Sequence, residues 1–172
     1  MSVTQFNLAS GQRAERKLLI TVAEWTENGG SSPIREVLGT RTTDSRIEYN
    51  PDVQQSTDIL GVNYTDVNKT QPKQSFEPFL ILGGSKLGAY LNDIRRRNAV
   101  SELGGFTIYV ITAYAGTSSA MEAEKQTGCT IVYNSLGGDS NVNFPIDVYY
   151  SNNTTLGTVD KLSDDFVFTA DA

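Results

Sequence analysis

FTIYVITAY, from Phe106 to Tyr114, is the stretch on which the fold turns. It is β-branched and aromatic almost throughout, and side chains that suit a pleated surface dominate it. Successive strand residues point to opposite faces, and here both the odd and the even positions are apolar. A strand of that kind has two buried faces and lies inside a sheet. Working outward, Lys17 to Trp25 is a second apolar β-rich run, with Leu19, Ile20, Val22 and Trp25 as its core side chains. Asn28-Gly29-Gly30-Ser31-Ser32-Pro33 ends it as a loop. Arg46 to Tyr49 alternates, placing Ile47 and Tyr49 on one face, and Asn50-Pro51-Asp52 then reads as a bulge or turn.

Val53 to Leu60 and Val62 to Lys69, parted by Gly61, carry the Thr, Val, Ile and Tyr of half-buried strands. Thr127 to Tyr133 and Phe144 to Tyr150 continue the pattern, with turn signals at Gly137-Gly138-Asp139 and Ser151-Asn152-Asn153. DFVFT, Asp165 to Thr169, closes the chain. One helix interrupts the strands over residues 85–98. Leu87, Tyr90, Leu91 and Ile94 recur at helical spacing, Ser85 is placed to N-cap and Asn98 to C-cap, and Arg95, Arg96 and Arg97 complement the dipole in the last turn. Gly88 weakens this helix by roughly 1 kcal/mol relative to Ala, so packing on a sheet must hold it. The expected architecture is mainly β: a sandwich or partial barrel with one flanking helix, in a single domain over 1–172. The polar arm at 1–16 and the Gly/Ser-rich loop at 26–43 are too loose to fold alone and are expected to order on a partner.

Composition removes whole classes of function. The 172 residues include no histidine, which excludes Ser-His-Asp and Cys-His nucleophiles, His-ligated zinc and His general bases. The lone Cys129 has no internal disulfide partner and reads as a small buried hydrophobe. Fourteen Lys and Arg against twenty Asp and Glu leave a net charge of −6, the wrong sign for gripping phosphates. No run of about 18 apolar residues spans a membrane, and Met1 to Ser10 has neither the basic nor the apolar part of a secretory leader. No cofactor is expected.

The motifs that hint at chemistry are weak. Gly83-Gly84-Ser85-Lys86 lacks the earlier glycine of a phosphate loop and reads as a helix-entry loop. Asp44, Glu48, Asp52, Asp58 and Asp66 do not have the alternation of an EF-hand and read as a solvated face. A glycosidase-like carboxylate pair drawn from distant strands stays open. Asn63-Tyr64-Thr65 and Asn68-Lys69-Thr70 match the glycosylation sequon but, with no leader in sight, carry no weight.

The segment IEYNPDVQQSTDILGVNYTDVNKTQPKQSFEPF from Ile47 to Phe79, followed by the helix around LGAYLNDIRR, resembles the major tail tube proteins of tailed bacteriophages. Its most distinctive part is STDILGVNYTDVNKTQPKQSFEPF, Ser56 to Phe79, and the later TIYVITAYAG, YNSLGGDS and GTV…FVFTA elements follow in a similar order. The resemblance implies a β-sandwich with one helix that assembles into hexameric rings. Six sheets would close into an inner β-barrel, and stacked rings would form a tube through which double-stranded DNA passes into the host without stable binding. It implies a virion tail location after assembly in the bacterial cytoplasm, with tape measure, tail terminator and tip proteins as partners. It implies no catalytic residues. Related tubes occur in contractile tails and in tail-like bacteriocins and injection machines.

Three features of the residues fit that expectation. Between Asp44 and Asp66 five acids face one base, Arg46. If that segment lines a channel, Glu48, Asp58 and Asp66 are the candidates to face the lumen, where negative charge repels phosphate. Sheet edges that invite aggregation are removed when neighbouring copies close them. The arm with Arg13 and Arg16, and the triple Arg95, Arg96 and Arg97, are the candidates for contacts between subunits. The alternative is a non-enzymatic β-sandwich binding module, such as a virion decoration or receptor-binding domain.

Overall fold

The computed structural model describes residues 6–172. After a 3-10 turn at Arg16–Leu18 the chain runs through β1 (Leu19–Trp25), β2 (Ile34–Val37), β3 (Ile47–Glu48), β4 (Val53–Thr57), β5 (Asn63–Val67) and β6 (Lys73–Phe76). The helix α1 (Lys86–Arg97) follows, then β7 (Phe106–Thr117), β8 (Ala120–Tyr133), β9 (Ile146–Tyr149), β10 (Thr154–Val159) and β11 (Phe168–Ala170). The fold is mainly β, and the described residues form one large antiparallel sheet and one small one, with no closed barrel among them.

The large sheet has nine strands in the order β2-β1-β7-β8-β9-β6-β3, with β10 also on β8 and β11 on β10. FTIYVITAY lies within β7, between β1 and β8, and its alternation divides two cores. Ile108 and Val110 join Ala23, Phe76, Ile131 and Phe144 on one side. Tyr109 and Ile111 join Val22, Met121, Val159 and Phe166 on the other. Burying each such side chain contributes about 1.5–3 kcal/mol. The strand is therefore apolar on both faces because both faces are covered.

β8 is the pivot of the sheet. Its first half, Met121–Gln126, pairs with β10, and its last four residues, Thr130–Tyr133, pair with β9. Gly128 lies between the two halves with φ +76, a conformation that glycine adopts without steric cost. The sheet folds over there, so that β1 and β6, four places apart in the strand order, meet face to face. Thr21 on β1 and Tyr150 both donate to the Gln74 Oε1 of β6, at 3.0 and 2.6 Å.

α1 closes one side of the first core with Leu87, Leu91 and Ile94, the stripe that its spacing marks out. Ser85 caps it by accepting from the Gly88 amide, and Asn98 ends it in the left-handed region at φ 54. Gly88 is there for room: a Cβ would lie 2.9 Å from the capping Ser85 Oγ.

Four expectations need correction. The stretch 26–43 is not all loop, because Ile34–Val37 forms β2 on the edge of β1, with Trp25 opposite Ile34. The strands expected to run to Leu60 and from Val62 stop at Thr57 and restart at Asn63, because Asp58 uses its carboxylate to build the turn. Those two strands are not half-buried: all ten residues of β4 and β5 are exposed. Finally, β8 begins seven residues before Thr127, and β10, rich in Thr, is a further strand with too few apolar residues to show a period in the sequence.

Candidate functional site

The part of the molecule least explained by its own fold is the β4–β5 ribbon. Register pairs Val53 with Val67 and Thr57 with Asn63, so Val53, Gln55, Thr65 and Val67 share one face and Gln54, Ser56, Tyr64 and Asp66 the other. Among the described residues no strand joins either edge. At the tip, Asp58 Oδ1 accepts from the amides of Leu60 and Val62 at 2.8 and 2.9 Å, while its Oδ2 accepts from the Tyr64 hydroxyl at 3.1 Å. The Val62 amide, first among these donors, holds the Asp58 carboxyl below the usual carboxylate range. This bonding pushes the intervening residues outward. Ile59 is 102% and Leu60 82% exposed, an apolar knob at the end of a polar ribbon. Water gives no reason to hold two aliphatic residues there, and an isolated two-stranded hairpin is only marginally stable.

The acidic candidates occupy three different settings. Glu48 is exposed at the end of β3, opposite Lys73 in register. Asp66 is exposed in mid-ribbon opposite Gln54. Asp58 is the turn-builder just described rather than a strand residue projecting by alternation. Of the remaining acids in this segment, Asp44 pairs with Arg46 and Asp52 accepts from the Asn68 side chain.

The basic candidates also divide. Arg97 is bound within its own chain, reaching Asp93 at 2.7 Å and Glu102 at 2.8 Å. Arg95 donates to the Asn92 side chain at 2.9 Å, while Arg96 is exposed. Arg16 donates to the Ser45 carbonyl at 2.8 Å and to that of Leu19, tying the arm to the body, and Arg13 is exposed. Beyond the arginines the arm is anchored by a bridge from Phe6 to Ala115 and by an edge contact between the Phe6 and Tyr114 rings. The first five residues of the expected arm lie outside the described residues.

The Gly-Gly-Ser-Lys segment is a helix entry whose anion position is already filled. Glu36 of β2 accepts from the Ser85 hydroxyl at 2.9 Å and from the Leu87 amide at 2.7 Å, so a carboxylate sits where a phosphate would. Lys86 is turned to Asp164 at 3.5 Å. Cys129 is buried, and burial pushes its thiol up, away from the reactive thiolate. Among the described residues no group of three or more His, Cys, Asp or Glu is arranged to hold a metal ion, and no helix is long and apolar enough to cross a membrane.

Reading residue by residue misses the polar groups that distant strands bring together, and the set around Asp147 is structural. Asp147 of β9 is buried and accepts from Ser75 at 2.6 Å, from Asn134 at 3.1 Å and from the Lys73 ammonium at 3.0 Å. The signal that marks it is an Asp inside the apolar run Phe144 to Tyr150, since a buried carboxylate needs partners.

No protein-family model matches the chain, and no curated protein matches it. Among solved structures it is similar to a chain of the anti-feeding prophage baseplate, determined by cryo-EM with 6-fold symmetry. That likeness has a TM-score of 0.47 at 10% sequence identity, over 87% of this chain and 97% of the other.

Proposed function

We propose that this chain is the structural subunit of a phage tail tube, or of the tube in a related tail-like particle, and that it acts by self-assembly and not by catalysis. The observation that carries this reading is the β4–β5 ribbon, exposed on both faces and at both edges. A chain that extends ten strand residues beyond its own core has placed them for another molecule. In stacked hexameric rings, ribbons from neighbouring copies would pair into a common inner β-barrel, and closure would leave the ribbons no free edge. The tape measure, tail terminator and tip proteins would be the heterologous partners, in the virion tail after assembly in the host cytoplasm.

The charge supports the same reading. An excess of six negative charges repels phosphate, so DNA inside such a tube would pass without the cation contacts that make binding strong and salt-dependent. Glu48 and Asp66 are the exposed acids that we place towards the lumen.

Negative-stain electron microscopy of the concentrated protein tests this directly. Rings or long hollow filaments are the expected result. A single monomer peak by size-exclusion chromatography with light scattering, and no filaments at any concentration or salt, would overturn it in favour of a binding module.

A further inference from the structure

The molecule carries an apolar groove as well as an apolar knob. The groove, of about 390 Å³, runs between α1 and the segment leading into β9. Ile81, Leu82, Ala89, Leu136 and Val142 line it, with Gly88 as part of its floor. Ile81, Leu136 and Val142 are themselves exposed at its mouth, although aliphatic side chains of this size are ordinarily withdrawn from water. Among the described residues no side chain fills it.

We propose that this groove receives the hairpin tip, Ile59 and Leu60, of a second copy of the chain. The proposal rests on the self-assembly reading above and names the contact by which assembly proceeds. Three observations point to this occupant. Both surfaces are apolar and open to water in the isolated chain, and joining them withdraws both. The Asp58 bonds fix the tip as a preformed turn, so little conformational freedom is lost on docking. The charges around the two surfaces are of opposite excess: the ribbon carries Asp52, Asp58 and Asp66 against Lys69, while the helix face that lines the groove continues past Asn92 to Arg96, with Arg95 beside it, against Asp139 on the Leu136 to Val142 wall. Asn92 and Arg96 are one turn apart on a single face, about 6 Å along the axis. A knob and a groove on different parts of one chain make a head-to-tail contact, which closes into a ring or continues as a helix instead of stopping at a dimer.

Cysteine pairing tests this, and buried Cys129 will not interfere. In Leu60→Cys with Ala89→Cys, mild oxidation is expected to give a ladder of linked copies on a non-reducing gel, reversed by reductant. Each single variant is expected to stop at a dimer or below. Filaments with no ladder would overturn this contact while leaving the tube reading intact, whereas the absence of both filaments and ladder would overturn the two together. Leu60→Asp provides an independent arm, because Leu60 is so exposed that the fold does not depend on it. Loss of filaments with an unchanged circular dichroism spectrum and melting temperature is expected, and filaments like those of the wild type would overturn the contact.

Discussion

Asp147 shows how a single buried carboxylate can be held charged. Burial alone would raise its pKa, but the hydrogen bonds from Ser75, Lys73 and Asn134, with the Lys73 charge, outweigh this and hold it below the usual carboxylate range. A carboxyl depressed in the folded state contributes stability that is present above its unfolded value and lost as pH falls through the folded one. The protein should therefore lose stability on acidification below the ordinary aspartate range. Asp147→Asn should lower stability at neutral pH by about 1–3 kcal/mol, since a partly buried lysine then lacks its counter-ion, and should flatten that acid slope. Urea denaturation at several pH values checks both. Glu124 is the opposite case: its half-buried carboxyl is raised by burial. What a sequence reveals at this scale is that Asp147 interrupts an apolar run. It does not reveal that Ser75, 72 positions away, stands opposite it in β6.

At the scale of elements, α1 was the most legible part of the chain because its evidence is local. Ser85, the apolar stripe and Asn98 all fall within one short stretch, and each cap is satisfied by neighbours in sequence. Glu36 was not legible as a cap because it arrives from β2, 49 positions before Ser85. Glu36→Ala should cost about 1–2 kcal/mol by leaving the Leu87 amide without its acceptor, while Glu36→Gln should keep most of that stability, a contrast readable in the urea midpoint. The ribbon teaches the converse lesson. Thr, Val, Ile and Tyr correctly marked β4 and β5 as strands, but propensity says only that a residue suits a pleated surface. Whether anything covers that surface depends on the rest of the fold, and among the described residues nothing does.

For the whole molecule, the mainly β class with one flanking helix followed from the two-faced pattern of β7, because a strand buried on both sides requires layers on both sides. The acidity of the Asp44 to Asp66 segment was equally legible, but its geometry was not, since Asp58 turned out to be spent on a turn. A lumen test must therefore spare it. Glu48→Lys with Asp66→Lys should leave assembly possible and slow DNA release several-fold from particles carrying the variant, as measured by ejection kinetics. Release at the unaltered rate would place these acids elsewhere.

β8 has a mechanical consequence. It belongs to both halves of the folded-over sheet, pairing with β7 and β10 at one end and with β9 at the other. Neither half can be peeled away without breaking a strand that the other needs. Strain arriving at one layer is thereby shared with the second across a continuous backbone, so the two halves of the large sheet form one cooperative unit from which the β4–β5 ribbon stands apart.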